Sequence, residues 1–433
     1  MKLSNELTPS KIVSLLDQYV VGQDDAKKDV AISLRTRWRR SQLDEDIQKE
    51  VIPANMILIG STGVGKTEIA RRIANLTNAP FIKSEVTKFT EVGYVGGQVD
   101  TLITDLAELA ATKIKEVLRQ EHADEISRRV SEEILDYIAP TATGKSKERI
   151  VKMIHDGDFD QYTVEYQEEL LDLPPLPLGL SDAKMKGAFD SLKSAMVSTS
   201  SRTATVKMLK DLIAEDIVSE ELMDPPTLNK RIVELTENQG IIFLDEIDKI
   251  IEPKEGRSGL VSREGVQRDL LPLVEGTTVT TKFGPVNTDH ILFIAAGAFH
   301  KTTPSDLMPE FQGRFPIRVE LKDLTTEDFV SILTKTRNSL ITQQIELLKT
   351  EGIVLSFTKD AITCMAEYAT TLNTKQANLG ARRLHTIVTA LLKEVSFNSP
   401  DVIKNKKVRV DKVFVEKVLK DIVKDDDLSK YIL

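Results

Sequence analysis

The 433-residue sequence predicts an α/β fold with a central parallel sheet, a helical inserted domain and a smaller α/β C-terminal domain. Short, nearly continuous apolar runs separated by helical stretches are typical of parallel strands that are covered on both faces. One of these runs leads directly into a glycine-rich loop. The strand-like runs are residues 56–59, 80–83, 241–244, 291–295 and 317–321, with two more at 354–357 and 407–410.

A change in sequence texture sets the predicted domain boundaries. Residues 110–231 alternate charged helical stretches with weak segments such as 198–205, a pattern that predicts an inserted helical module with flexible connections. Residues 1–109 and 232–321 then form one discontinuous nucleotide-binding domain, and residues 322–433 form the smaller C-terminal domain.

Composition limits the possible functions. Hydrophobic residues make up 41% and charged residues 29% of the chain, as in ordinary globular proteins. The formal charge of −9 argues against general affinity for nucleic acid or anionic membranes. The single cysteine, Cys364, rules out a disulfide framework and a cysteine-based zinc site, and we expect it to be a buried thiol. Without a signal peptide or a membrane-length apolar run, we expect a cytoplasmic protein.

The glycine-rich loop has the pattern G-x-x-x-x-G-K-[ST], which begins at Gly60 and follows an apolar strand. In such a loop the glycines let backbone N–H groups face phosphates, and the ammonium of Lys66 reaches the β- and γ-phosphates. The hydroxyl of Thr67 can ligate Mg²⁺, and the following helix presents the positive end of its dipole. A simple glycine-rich turn is the alternative interpretation, but the preceding strand strongly favours a nucleotide site.

Two adjacent carboxylates follow the apolar run 241–244. We expect this strand to lie beside the phosphate-loop strand, with Asp245 and Glu246 at its carboxyl end, where α/β sheets hold ligands. Asp245 is suited to the Mg²⁺ shell, and Glu246 to polarising a water for attack on the γ-phosphate. An acidic residue at a helix N-terminus would explain the pair equally well if the phosphate loop were absent.

Two arginine motifs and one aromatic motif complete the candidates. Arg314 follows Gly313 just before a strand, and Arg382 lies in the sequence G-A-R-R; either could stabilise transition-state charge or simply form a surface ion pair. Tyr94, bracketed by glycines in G-Y-V-G-G, predicts either an apolar loop tip or a turn with a packed tyrosine. The arginine cluster at 35–40 is interpreted as a solvated helix face.

Together these motifs resemble the AAA+ ATPases and, among them, the Clp/Hsp100 unfoldases. The resemblance covers the ATPase core and the C-terminal domain almost throughout and is loose only in the insertion. It depends on V-V-G-Q within residues 19–40, on residues 60–72, on TKFTEVGYVG at 87–96, on SREGVQRDLLPLVEG at 262–276, and on G-A-R-R-L-H and DLSKYIL near the end.

The resemblance implies a role for each matched residue. Glu310 and Arg314 act in trans on a neighbouring subunit's nucleotide, with Arg314 as the arginine finger, while Arg382 contacts the γ-phosphate in cis. Asp245 and Glu246 serve Mg²⁺ and the attacking water. The residues implied to hold ATP and Mg²⁺ are Val21, Gly63, Val64, Gly65, Lys66, Thr67 and Glu68.

The remaining implied roles concern protein substrates and a partner. Tyr94 belongs to a central pore loop that pushes on substrate polypeptide, with Gly93, Val95 and Gly96 beside it. The C-terminal residues dock on a separate peptidase; these are Tyr431, Ile432 and Leu433. One departure concerns the fourth strand, which ends Ala295-Ala296-Gly297 without the polar residue that many AAA+ proteins use to bind the attacking water.

The resemblance implies an ATP-driven homohexameric ring that unfolds proteins and feeds them to the peptidase. A ClpX-like unfoldase for another peptidase is one alternative, but a single cysteine excludes the usual N-terminal zinc domain, and an Ile-Gly-Phe docking loop is absent. A nucleic-acid-remodelling AAA+ motor is disfavoured by the acidic charge and the aromatic loop. A small-molecule P-loop kinase would leave the C-terminal domain and the trans arginine unexplained.

Overall fold

The computed structural model describes residues 7–89, 98–171, 197–218, 224–251, 263–399 and 407–424. The chain divides into two compact units, one formed by Met1–Ala110 with Ile232–Leu433 and the other by Ala111–Arg231. Among the described residues, no helix is both long enough and apolar enough to cross a membrane.

The secondary structure alternates helices and strands along the chain. The helices are α1 (Pro9–Asp17), α2 (Asp24–Arg40), α3 (Glu45–Glu50), α4 (Lys66–Thr77), α5 (Thr101–Glu121), α6 (Ala123–Ile138), α7 (Lys145–Asp156), α8 (Val206–Asp216), α9 (Pro225–Gln239), α10 (Arg263–Glu275), α11 (Pro309–Gly313), α12 (Thr326–Thr334), α13 (Leu340–Lys349), α14 (Lys359–Lys375), α15 (Arg382–Phe397) and α16 (Lys412–Lys424). The strands are β1 (Met56–Ile59), β2 (Phe81–Glu85), β3 (Thr163–Leu171), β4 (Val197–Thr205), β5 (Ile241–Asp245), β6 (Thr278–Thr281), β7 (Gly284–Asn287), β8 (Leu292–Gly297), β9 (Ile317–Glu320), β10 (Val354–Phe357) and β11 (Lys407–Val410).

Side-chain caps explain where several helices begin. At α12, the Thr325 hydroxyl accepts a hydrogen bond from the Asp328 N–H (3.2 Å), and the Asp328 carboxylate accepts one from the Thr325 N–H (2.9 Å). This reciprocal arrangement satisfies two backbone donors that the first helical turn leaves without partners. The caps of α1 and α14 are simpler. In each, one threonine hydroxyl, that of Thr8 or Thr358, accepts a hydrogen bond from a backbone N–H of the first helical turn.

The first unit is built on a five-stranded sheet in the order β2-β5-β8-β1-β9, with every neighbouring pair parallel. Alternate residues of each strand enter opposite cores. Ile57, Leu244 and Phe293 belong to one buried cluster, whereas Leu58 and Phe243 belong to the other. The predicted α/β fold with a parallel sheet covered on both faces is therefore confirmed.

The position of the Asp245 strand was predicted wrongly. We expected β5 to lie directly beside the phosphate-loop strand β1, but β8 pairs with both and lies between them. The six residues of β8 are buried along their whole length, as a central strand requires, whereas those of the edge strand β2 are partly exposed. Both β5 and β8 read as apolar runs, so sequence hydrophobicity could not order them.

The C-terminal part of the first unit, residues 322–433, has a hydrophobic cluster of its own. Helices α12 to α16 pack around it, and β10 and β11 form a parallel pair at its side. Cys364 on α14 is 4% exposed within this cluster, which confirms the expected buried thiol. Burial in these apolar surroundings raises its pKa above the ordinary thiol value.

The second unit contains a pair of strands besides its helices. Residues 198–205 were expected to be a weak connection, but they belong to β4, which pairs antiparallel with β3 over nine residues. The sequence of β4 contains one valine and three threonines, and such β-branched residues favour extended backbone. In the first unit, the antiparallel pair of β6 with β7 was also not predicted.

The arginine cluster of α2 is only partly a solvated face. Arg37 donates to the carbonyl oxygens of Asn238 (3.0 Å), Gly240 (3.1 Å) and His290 (2.8 Å), at the end of the sheet where β5 and β8 begin. Arg40 is buried and donates to the carbonyl of Val51 (2.8 Å). Burial, aided by the charge of Arg40, lowers the pKa of Arg37 to about 10. The prediction of a solvated face is therefore wrong for Arg37 and Arg40.

A candidate nucleotide site at the carboxyl edge of the sheet

A cavity of about 670 Å³ opens at the carboxyl ends of the central strands. Its wall combines the phosphate loop, the segments that follow β5 and β8, and residues of α12, α13 and α15. This is the edge of a parallel sheet at which α/β proteins bind ligands. The predicted site residues that line it are Gly63, Gly65, Lys66, Thr67, Glu68, Asp245, Glu246 and Arg382.

The phosphate loop wraps around its own lysine. Gly65 has a φ of 111°, a left-handed conformation that favours glycine, and it directly precedes α4. Lys66, the first residue of α4, donates to the carbonyl oxygens of Gly60 and Ser61, the latter at 2.8 Å. The ammonium thus lies at the centre of the loop, next to the N-terminus of a helix, where anions bind favourably.

The electrostatics of Lys66 reflect the groups gathered around the cavity. Burial lowers its pKa, and the positive charge of Arg382 lowers it further, while the carboxylates of Asp245 and Asp248 act in the opposite direction. Charged side chains of three segments therefore interact electrostatically in one cavity: the phosphate loop, the end of β5 and the start of α15.

Asp245 has a cationic neighbour that was not predicted from the sequence. The Lys83 ammonium on β2 lies 2.8 Å from the Asp245 carboxylate, which also accepts a hydrogen bond from the Glu246 N–H (3.0 Å). The contact arises because β2 pairs with β5, with Glu85 opposite Asp245 and Lys83 two residues earlier. Only the strand pairing brings these two residues together, so no local motif reveals Lys83.

Glu246 has an unusual backbone conformation. Its φ of 60° and ψ of 34° lie in the left-handed region, which is costly for a residue with a β-carbon. The next carboxylate, Asp248, accepts a hydrogen bond from the Ala298 N–H (3.2 Å), just beyond β8. The side chains of residues 295–297 are apolar. The polar groups at this place in the cavity wall are instead the Asp248 carboxylate, the Ala298 N–H group and the His300 side chain.

Arg382 reaches the cavity from the C-terminal part. It follows a turn whose backbone touches the phosphate loop directly, since the Ala381 N–H donates to the Gly63 carbonyl oxygen (3.0 Å). Residues far apart in the chain, Lys66, Asp245 and Arg382, thus line one cavity.

Four of the predicted residues, all within the described part of the chain, are not in the cavity wall. Val64 is 2% exposed and belongs to the hydrophobic core beneath the loop. Val21 also lies outside the wall, although Tyr19, two residues earlier, lines it. Arg314 forms an ion pair with Glu275 (3.0 Å), and Glu310 lies in the short helix α11 that precedes it.

Tyr19 and its partners were not predicted. The guanidinium of Arg72 lies 3.6 Å from the centre of the Tyr19 ring, and Arg337 donates to the Tyr19 hydroxyl (3.2 Å). Nearby, the Gln23 side chain donates to the Lys322 carbonyl (2.7 Å) and accepts from the Lys322 N–H (2.9 Å). These contacts hold the V-V-G-Q segment between α4 and the chain that follows β9.

The predicted pore-loop and docking residues lie outside the described residues. They are Gly93, Tyr94, Val95, Gly96, Tyr431, Ile432 and Leu433.

Comparisons with known proteins agree with this geometry. Residues 56–155 match the ATPase family associated with various cellular activities (AAA), and residues 139–318 match the AAA domain of the Cdc48 subfamily. Similarity to individual curated proteins extends over the whole chain. A protein of Persephonella marina named ATP-dependent protease ATPase subunit HslU is 48% identical over 100% of both chains.

Two further relatives carry the same name. The protein of Agrobacterium fabrum is 48% identical over 98% of this chain and 99% of its own, and that of Dinoroseobacter shibae is 45% identical over 99% and 100%. The resemblance to the AAA+ ATPases is therefore confirmed. With this identity along its full length, the chain belongs to the HslU family of AAA ATPases.

Proposed function

We propose that this chain hydrolyses ATP in order to unfold protein substrates and translocate them into a peptidase double ring, HslV. One observation carries the ATPase part of the proposal: Lys66, Asp245, Glu246 and Arg382 line a single cavity at the carboxyl edge of the sheet. The names of the relatives, which are ATPase subunits of an ATP-dependent protease, support the coupling to proteolysis.

The donor groups of the cavity fit ATP with Mg²⁺. The Thr67 hydroxyl and the Asp245 carboxylate are oxygen donors, and Mg²⁺ commonly uses one or two protein oxygens together with phosphates. Among the residues that the structure describes, no group of three acidic, histidine or cysteine side chains could hold a metal alone, consistent with a metal that arrives with its nucleotide. Bound there, Mg²⁺ would neutralise charge on the phosphate oxygens.

The side chains of the cavity divide the work of hydrolysis. In our proposal the Lys66 ammonium exchanges the Gly60 and Ser61 carbonyls for phosphate oxygens, while backbone N–H groups of the loop bind the remaining charge. Glu246 orients a water and accepts its proton as the water oxygen bonds to the γ-phosphorus. The bond from that phosphorus to the bridging oxygen breaks, so that ADP leaves and inorganic phosphate is formed. Arg382 stabilises the negative charge on the phosphoryl oxygens. Glu68 and the segment around Val21 hold the rest of the nucleotide.

The proposal includes a homohexamer. Arg314 and Glu310 are assigned to the nucleotide of a neighbouring subunit, an assignment supported by their position outside their own chain's cavity. In this arrangement Arg314 exchanges its ion pair with Glu275 for the neighbour's phosphate oxygens. An exposed ion pair of this kind contributes little to stability, roughly 0–1 kcal/mol, so the exchange is inexpensive.

Domain organisation and partner contacts follow from the same proposal. Residues 1–109 with 232–321 bind nucleotide, residues 110–231 form an inserted domain, and residues 322–433 carry Arg382. Tyr94 pushes substrate through the pore, and the C-terminal residues 431–433 dock on the peptidase by an apolar anchor. The complex acts in the cytoplasm.

The decisive experiment mixes the purified chain with purified HslV, a folded fluorescent substrate and ATP. We expect the fluorescence to be lost with ATP but not with a non-hydrolysable analogue, and not with the Glu246→Gln variant. Robust ATPase activity without any degradation would refute the assignment to HslV. Degradation with a ClpP-type peptidase instead, or stimulation of the ATPase by DNA or RNA, would support one of the two alternative functions.

A further inference from the structure

The turn that precedes Arg382 is held from two sides. Residues 376–381 connect α14 to α15, and one side of this turn rests on the phosphate loop through the hydrogen bond from the Ala381 N–H to the Gly63 carbonyl (3.0 Å). The other side faces two polar side chains of the C-terminal part, Asn373 and Arg383. Neither side chain lines the nucleotide cavity.

Arg383 is a buried cation next to an exposed one. Its side chain is among the largest buried in the described chain, at 2% exposure, whereas the neighbouring Arg382 is exposed towards the cavity. The Arg383 guanidinium donates to the Ala377 carbonyl (2.9 Å) and to the Asn373 side-chain oxygen (3.3 Å). Burying a guanidinium is costly unless its donors are satisfied, so these acceptors fix where the group can lie.

Asn373, near the end of α14, binds the turn with both ends of its amide. Its oxygen accepts from the Leu379 N–H (3.2 Å), and its nitrogen donates to the Gly380 carbonyl (3.2 Å). The Gly380 N–H is bound by the Asn378 side chain (3.0 Å). The backbone of the turn is therefore tied at consecutive residues to a side chain that comes from a different helix than Arg382.

We propose that Asn373 and Arg383 are positioning residues for ATP hydrolysis. They hold the turn so that Ala381 stays on Gly63 and Arg382 enters the cavity, and their effect on the reaction passes through Arg382. This inference rests on the proposed function, in which Arg382 acts on the nucleotide bound in this cavity. It extends the site to a buried arginine and a half-buried asparagine, neither of which lines the cavity.

A double-mutant cycle of Asn373→Ala with Arg382→Ala tests the inference through kcat and KM of ATP hydrolysis. We expect Asn373→Ala to lower kcat by roughly 10- to 100-fold, because small displacements of a catalytic group have effects of this size. In the Arg382→Ala background the same substitution should change kcat by less than about twofold, because residues that act as one unit are not additive.

Graded variants and a matched control separate positioning from general destabilisation. Asn373→Asp keeps the acceptor for Leu379 and Arg383 but loses the donor to Gly380, so it should lose less kcat than Asn373→Ala and remain folded. Asn398→Ala removes an amide that donates, within the described part of the chain, to the Glu394 carbonyl (2.8 Å) at the end of α15, and it should keep the wild-type kcat.

The outcomes distinguish failure of this inference from failure of the proposed function. Wild-type hydrolysis by Arg382→Ala would refute the role of Arg382 itself. If Arg382→Ala is impaired and adding Asn373→Ala lowers kcat again by the same factor as in the wild-type background, the positioning role is overturned. A wild-type kcat in the single variant Asn373→Ala would overturn it as well. If Asn373→Ala does not fold, the same cycle with Asn373→Asp decides in the same way.

Discussion

Gly63 and Gly380 lie backbone against backbone where the phosphate loop meets the turn before Arg382. A β-carbon added to Gly63 would lie 2.1 Å from the Leu379 carbonyl oxygen, and one added to Gly380 would lie 2.6 Å from the Thr62 carbonyl oxygen. Distances this short cannot be relieved by a side-chain rotation, because the atoms met belong to the backbone. The contact therefore requires glycine on both sides, and it joins the loop that we expect to hold phosphates to the part of the chain that carries Arg382.

Substituting Gly380 with alanine should impair hydrolysis by separating these two backbones. Gly380 has a φ of 54°, so alanine there costs about 1–2 kcal/mol in backbone strain, besides the clash. We expect roughly a tenfold or greater loss of kcat for ATP, measured at saturating nucleotide. Gly144→Ala is the matched control, because Gly144 has a φ of 58° and nothing within 4 Å of its added β-carbon. Equal ATPase rates in the two variants would contradict a functional role for the contact.

Substituting Lys66 with alanine should abolish nucleotide binding. The ammonium lies at the centre of the phosphate loop, and a charge-assisted hydrogen bond contributes about 1.5–3 kcal/mol, or at least tenfold in affinity for each bond lost. Titration with a fluorescent ATP analogue measures the change. Lys88→Ala removes an exposed lysine from the same unit and should bind normally. Tight ATP binding by the Lys66 variant would refute the phosphate-loop assignment.

Substituting Glu246 with glutamine should separate binding from hydrolysis. The amide has the same shape as the carboxylate but cannot accept a proton from water, and losing a general base typically costs 10²–10⁴-fold in rate. We expect an unchanged dissociation constant for ATP and a loss of kcat in this range, measured by phosphate release. A loss of less than threefold would mean that another group activates the water.

Substituting Tyr94 with alanine should stop translocation while ATP hydrolysis continues, since Tyr94 is assigned to gripping substrate and not to the nucleotide cavity. Tyr94→Phe keeps the ring and serves as the control. Degradation of a folded substrate by the complex with HslV, compared with the ATPase rate of the same sample, separates the two activities. Undiminished degradation by Tyr94→Ala would eliminate the pore-loop role.

His290 should make the protein less stable in mild acid. Arg40 donates to the His290 ring nitrogen Nδ1 (2.8 Å), so this nitrogen acts as the acceptor and the ring is neutral. Burial lowers the pKa of His290 below its ordinary 6.5; Arg40 and Arg37 lower it further, and Asp289 opposes them. The His290 ring therefore binds a proton more readily in the unfolded chain than in the folded one. As a result, the free energy of unfolding falls as the pH drops below about 6.5 towards the lower pKa of the folded state.

The measurement compares thermal unfolding of the wild type and His290→Gln between pH 7.5 and 5.5. Glutamine can still accept a hydrogen bond from Arg40 but does not titrate. The melting temperature of the wild type should therefore fall relative to that of His290→Gln as the pH is lowered. The difference between the two proteins isolates His290 from other titrating groups such as Glu237, whose pKa is raised by burial. A constant difference across this range would show that His290 does not titrate on unfolding.

Strand positions and the phosphate loop could be predicted from the sequence because their signals are local. The apolar runs at 241–244 and 317–321 are strands within one residue of their observed bounds, and 354–357 and 407–410 match β10 and β11. Residues 198–205 were missed because a polar strand shows no apolar run. The solvated-face interpretation of Arg37 failed because its acceptors come from the chain around Asn238 and His290, far away in sequence.

The sequence by itself predicted which chemistry this protein carries, because a glycine-rich loop with Lys66 and a strand ending in Asp245 are, by residue type and spacing, typical of a nucleotide site. Only the tertiary structure decided which side chains surround those groups. The order of the strands places β8 between β1 and β5 and Lys83 beside Asp245, and the contact of Gly63 with Gly380 brings Arg382 to the cavity. These relationships depend on long-range packing between backbones, which residue types and their local spacing do not encode.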